Sequence, residues 1–188
     1  GPNFPGTSAN RTGTGTVAWA NPSNANADDG SRTTATATPL SNRYTNYLYC
    51  SNFGFSIPSG STINGITVTI EKQLETTTTA TDTIVSIVKA DNSIGSTNYK
   101  KTGNWPTPLT VFTYGGVSDL WGETWSYSDI NDVDFGIVIS GRVAGGFKSS
   151  GYLHIDYVKI SIDYTTGSSF IASKPVIVRQ AINRASTF

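Results

Sequence analysis

The chain has 188 residues, with 13 Lys plus Arg against 13 Asp plus Glu and a formal net charge of zero. That length fits one domain, or one domain with arms. The lack of a basic field argues against general nucleic-acid binding, whose phosphate contacts need one. Ser, Thr and Asn together fill 63 positions and charged residues only 14%. Hydroxyls and amides, not charge, therefore carry solubility, as expected at a virion surface or at an extracellular or cell surface. No apolar run reaches the roughly 18 residues of a membrane-spanning helix, so membrane insertion is not expected.

In chain order, residues 1–16 are Gly, Thr, Asn and Pro with little apolar content and read as an extended arm. The opening Gly1–Gly6 has no basic region and no apolar stretch, so no signal peptide is read there. From Val17 to Thr165, short apolar alternations are separated by Gly, Asn, Asp and Pro turns, the pattern of an all-β domain. Phe53, Phe55 and Ile57 alternate as one strand. Ile66, Val68 and Ile70 make another, with Thr67, Thr69 and Glu71 outward. Glu75–Thr83 reads as a solvated loop or twisted edge, followed by a strand through Val85 and Ile87. Residues 99–134 read as mostly irregular, with one helical turn over Ser126–Asn131 and Ser128 as its N-cap. Phe135, Ile137 and Ile139 alternate next, with Gly136 and Ser140 outward.

The run Tyr152–Tyr164 changes phase. Leu153, Ile155 and Tyr157 share one parity; Val158, Ile160, Ile162 and Tyr164 share the other. A period of two cannot bury both sets on one face, so a β-bulge near Tyr157-Val158 is expected. The whole pattern predicts a two-sheet antiparallel β-sandwich, jelly-roll-like, over 17–165, with extended N- and C-terminal arms. Gly167-Ser168-Ser169 then leads into 166–188, a tail with Lys174, Arg179 and Arg184 and no acid. Such a tail has three readings: an intersubunit contact adding a strand to a neighbour, packing on its own body, or a linker. For assembly, Phe170, Ile171, Val176, Ile177, Val178 and Ile182 are the apolar anchors, with Arg179 and Arg184 meeting acidic surfaces.

Chemistry is sparse. His154 is the only His and Cys50 the only Cys, so neither a zinc set nor an intrachain disulfide is available. Cys50 is expected to act as a small buried hydrophobe and His154 as a surface strand residue. No spacing singles out a carboxylate pair of the kind glycosidases use, and no catalytic residue is assigned. Asp28-Asp29-Gly30, approached by Asn21, Asn24 and Asn26, offers Asp28 and Asp29 as candidate calcium ligands, or forms a plain Asp-Gly turn. Trp105, Trp121, Trp125 and Tyr127 crowd one stretch beside Asn, Asp and Thr. They are the candidate platform for stacking sugar rings, or else plugs for the open end of a sandwich.

Asn21-Pro22, Ala27–Gly30, Leu48, Asn52–Ile66, Tyr114–Trp125, Asp129–Asn131, Phe135-Gly136 and Val158–Tyr164 together resemble, over about residues 17–165, a recurrent uncharacterised β-sandwich module of phage structural proteins and bacterial surface or secreted proteins. The resemblance implies a fold and a place on a particle or cell surface, with no catalytic residues to carry over. The expectation is therefore a non-enzymatic structural protein of a virion or extracellular assembly, self-associating or contacting neighbouring subunits through its arms. The alternative is a carbohydrate-binding module using the Trp/Tyr-rich surface.

Overall fold

The computed structural model describes residues 1–13, 15–38, 43–75, 79–145 and 150–167. Ten strands form two antiparallel sheets packed face to face, with jelly-roll-type crossing connections between them. One sheet holds β2 (Trp19–Ala20), β3 (Thr33–Ala37), β10 (Gly151–Thr165), β6 (Thr62–Glu75) and β8 (Thr110–Gly116), in that order. In the other, β9 (Gly136–Val143) is central. β7 (Ala80–Val88) pairs along one edge of β9, and β5 (Tyr47–Ser51) and β4 (Arg43–Tyr44) share the opposite edge. β1 (Thr7–Arg11) lies outside β5.

β6 is the reference strand of the sandwich. From Ile66 onward its core-facing residues Ile66, Val68, Ile70, Lys72 and Leu74 keep one parity, all buried. Two other strands each reset their phase. In β10 the register jumps from Ile155↔Lys72 to Tyr157↔Glu71, leaving Asp156 as the extra residue. Leu153 and Ile155 before the bulge, and Val158 and Ile160 after it, are therefore all buried. The phase break in the sequence marks this bulge, one residue earlier than expected. In β7 the register jumps between Asp82 and Ile84, so Ala80 and Asp82 share the core face with Val85 and Ile87.

Several expectations are corrected. Residues 7–11, read as part of an arm, pair with β5 as β1, and Asn3 exchanges two backbone hydrogen bonds with Ile160. Phe53–Ile57 is not a strand. Asn52 (φ 57°) and Gly54 (φ 66°) take left-handed conformations that break the extended run, although Phe53 and Ile57 stay in the core. Residues 80–83 belong to the bulged edge strand β7, the edge alternative for that stretch, and residues 110–116 form β8 within the otherwise mostly irregular run 99–134. The helical turn (α1, Tyr127–Asn131) is capped by Ser126, not Ser128, in a reciprocal capping box with Asp129. Gly136 and Ser140 are buried, because the central strand β9 is covered on both faces. Its second face carries a small cluster of Tyr49, Val88 and Val138. The tail residues Phe170, Ile171, Val176, Ile177, Val178, Arg179, Ile182 and Arg184 lie outside the described residues.

β9 and β5 approach so closely at Gly136 that a Cβ there would sit 2.0 Å from the Cys50 carbonyl oxygen. Gly136→Ala should therefore destabilise the fold by about 1–3 kcal/mol. Gly116→Ala, where nothing lies within 4 Å, should stay within about 0.5 kcal/mol of the parent. Urea denaturation midpoints check both.

Candidate functional site

The bulge in β7 has a chemical consequence. Lys72 of β6 and Asp82 of β7 point into the same end of the core from opposite sheets, with side chains 2% and 1% exposed, and form an ion pair. Three further donors reach the Asp82 carboxylate. Trp105 Nε1 donates to Oδ1 at 2.7 Å; the Tyr114 hydroxyl and the Lys101 amide donate to Oδ2 at 2.9 and 3.1 Å. The Lys72 ammonium also donates to the Tyr114 oxygen at 2.6 Å and lies 4.5 to 5.4 Å from the ring centres of Phe112, Trp105 and Tyr114. Burial lowers the Lys72 pKa, and Asp82 opposes that shift. Burial, and then the Asp82 charge, raise that of Tyr114. The network is satisfied internally and closed to ligand.

It also decides the fate of the aromatic platform. Trp105 is 4% exposed, held by Asp82 and by its amide on Ala80. Trp121, 1% exposed, donates Nε1 to the Ile66 carbonyl and packs against Tyr99 at 4.2 Å. Trp125, 9% exposed, donates to the Leu120 carbonyl and meets Phe135 edge-on. The expectation of three sugar-stacking Trp faces is corrected: these rings close the sandwich beneath loops that have no core of their own. Tyr127 is half-buried against that same core.

A different surface is open. On β3 the order Thr33-Thr34-Ala35-Thr36-Ala37-Thr38 puts Thr33, Ala35 and Ala37 into the core and Thr34, Thr36 and Thr38 outward. Register aligns Thr36, Tyr152 and Glu75 in one row and Thr34, His154 and Gln73 in the next. Tyr152 is 39% exposed, and its ring lies nearly parallel to that of His154. The Thr34 hydroxyl lies 2.9 Å from His154 Nδ1, and Glu75 Oε2 lies 3.2 Å from Nε2. A carboxylate only accepts, so Nε2 carries the proton and Nδ1 accepts from Thr34. Burial lowers the His154 pKa, against the pull of Glu75, which keeps the ring neutral. Beside these rows, Ala18, Ala20, Thr34, Thr36, Thr38 and Arg43 line a cleft of about 360 Å³. Among the described residues, the buried Arg43 Nε–H has no hydrogen-bond acceptor and no Asp or Glu lines the cleft. The sequence-level signal for this surface was the Ala/Thr alternation over 33–38.

The acidic turn is also rearranged. Asp29 Oδ1 accepts from the Ser31 amide at 2.8 Å, an Asx turn. Asp28 instead meets Glu71 of β6 and Asp156 of the β10 bulge, one carboxylate oxygen from each lying within 4.8 Å of the others. These three residues could hold a metal ion. Burial first, and then Asp156 and Asp28, raise the pKa of Glu71; burial raises that of Asp156, opposed by Glu71 and supported by the Asp28 and Asp29 charges. Cys50 is buried and its thiol is pushed up to about 12 by desolvation.

Lys72→Met strands the Asp82 charge and should cost about 3–5 kcal/mol, with much of that loss recovered in a Lys72→Met/Asp82→Leu double variant. A double-mutant cycle in urea measures the coupling. The Cys50 thiol remains protonated until pH approaches 12, so it should resist a disulfide reagent at pH 8 in the folded chain and react at once in denaturant.

No protein-family model matches the chain, and no curated protein matches its sequence. Solved structures similar to it include one described as "CBM4 structure and function", which is 12% identical with a TM-score of 0.40, over 87% of this chain and 95% of the other. Another is the family 11 carbohydrate-binding module of the cellulosomal cellulase Lic26A-Cel5E of Clostridium thermocellum. It is 11% identical with a TM-score of 0.39, over 89% of this chain and 91% of that one.

Proposed function

We propose that the chain is a non-catalytic glycan-binding module and that sugar docks on the outer face of β3 and β10. The observation that carries this reading is the cleft floored by alternate small side chains of β2 and β3 and flanked by the exposed Tyr152 ring. Pyranoses present an apolar C–H face and a rim of hydroxyls. A partly exposed phenol ring suits the first, and hydroxyl, imidazole and guanidinium groups held by strand register suit the second. Thr36 and Thr38 supply hydroxyls, and Arg43 brings a guanidinium to the cleft wall. Strands hold these groups more rigidly than loops would, so little ordering cost accompanies binding.

A glycan array probed with the full chain tests the proposal. Binding to at least one glycan class is expected, weakened about tenfold by Tyr152→Ala and abolished by Thr36→Tyr, which fills the cleft floor. Trp121→Phe, beneath the other end of the sandwich, should leave it unchanged. Silence across the array, or binding indifferent to Tyr152→Ala and Thr36→Tyr, overturns the reading.

A further inference from the structure

We infer that Asp28, Glu71 and Asp156 form a calcium site, for which the β10 bulge supplies the most deeply buried ligand. The three carboxylates come from separated segments: the turn after the 3-10 helix Pro22–Ala25, the outward row of β6, and the residue β10 inserts against it. A bulge gives up regular ladder pairing, and here it brings Asp156 beside Glu71. Asp156 is 2% exposed and, among the described residues, no donor reaches its Oδ1. A buried carboxylate oxygen without a donor is costly, and native structures keep such groups only for a reason. A cation at the centre of the cluster supplies that reason.

The charge balance agrees. Around Asp156 stand four carboxylates (Asp28, Asp29, Glu71 and Asp156 itself) and two cationic side chains, Arg32 and Lys159. Fully ionised, the group carries −4 + 2 = −2, which one divalent ion neutralises. Lys159 compensates in part: its ammonium donates to Asp28 Oδ2 at 2.9 Å while lying over the rings of Tyr157 and Phe4. The donor set selects among metals. It is all oxygen, with Cys50 bonded to Ser8 and His154 held between Thr34 and Glu75, so it lacks the nitrogen and sulfur that zinc favours. Three protein carboxylates whose oxygens lie within 4.8 Å of one another suit the flexible all-oxygen shell of calcium, whereas magnesium dehydrates reluctantly and is usually held by one or two carboxylates. Further ligands would come from backbone carbonyls of the Asn-rich turn and from water. The ion would tie that turn to two strands of one sheet. This inference does not rest on the glycan reading.

The test uses the full chain after chelator treatment. Adding CaCl2 to a hundredfold excess over its Kd should raise Tm by about 5–10 °C, and MgCl2 should raise it much less. Asp156→Asn and Glu71→Gln should each abolish the calcium response, yet melt no lower than the parent in chelator, since each removes a charge from an over-acidic group. Terbium added to the unmodified chain should luminesce on excitation of tyrosine, with Tyr157 as the donor, and calcium should displace it. Absence of a calcium shift together with absence of displaceable terbium emission overturns the site. Retention of the shift in both variants does so as well, and an equal response to magnesium overturns the assignment to calcium.

Discussion

A charged residue at a core position of the longest unbroken alternation constrains much of this sandwich. Lys72 continues the inward parity of Ile66, Val68 and Ile70, so β6 can pair with β10 and β8 in register only if an ammonium enters the core. An unpaired buried ammonium is prohibitive. The facing sheet answers with a bulge that turns Asp82 inward, and the loop before β8 answers with Trp105 and the Lys101 amide. Three separate stretches of chain are thereby fixed relative to one another. Hydrophobic area alone is non-directional and would tolerate several registers; this pair tolerates few.

The two bulges solve related problems in opposite directions. In β7, phase resetting brings a carboxylate into the core; in β10 it gathers a carboxylate with two others on the flank of the sheet. Both leave the apolar residues on either side facing the core, so neither sacrifices burial for polar placement. The tryptophans follow a similar economy. Trp105, Trp121 and Trp125 each bury a large ring and satisfy the indole N–H on a carboxylate or backbone carbonyl. Long connections between β7 and β9 can then lie close to the sheets without a sheet core of their own.

What the sequence revealed depended on whether a signal was local. Strand periodicity over 62–71, 85–88 and 152–164 is visible from one residue to the next, and so was the phase break, because a bulge disturbs a period of two within a single strand. Phe53–Ile57 misled for the same reason: its alternation is real, but left-handed backbone at Asn52 and Gly54 turns it into a loop that still delivers Phe53 and Ile57 to the core. The sites were harder to read. Asp28 was visible as an acidic turn, but its neighbours Glu71 and Asp156 lie 43 and 128 positions away and meet it only through sheet pairing. Aromatic clustering between 105 and 127 did not distinguish a platform from a plug, since that depends on which face the loops cover.

The backbone exchange between Asn3 and Ile160 bears on colloidal behaviour. β3 covers β10 only as far as Ile155, so the distal half of a fifteen-residue strand would otherwise present a row of unsatisfied amides beside Tyr157, Ile160 and Ile162. Asn26 and Asn3 each bridge that stretch, and the Asn3 side chain is anchored on the Phe53 carbonyl. The first residues thus act as a guard against edge-to-edge polymerisation, the failure to which flat, half-paired strands are prone.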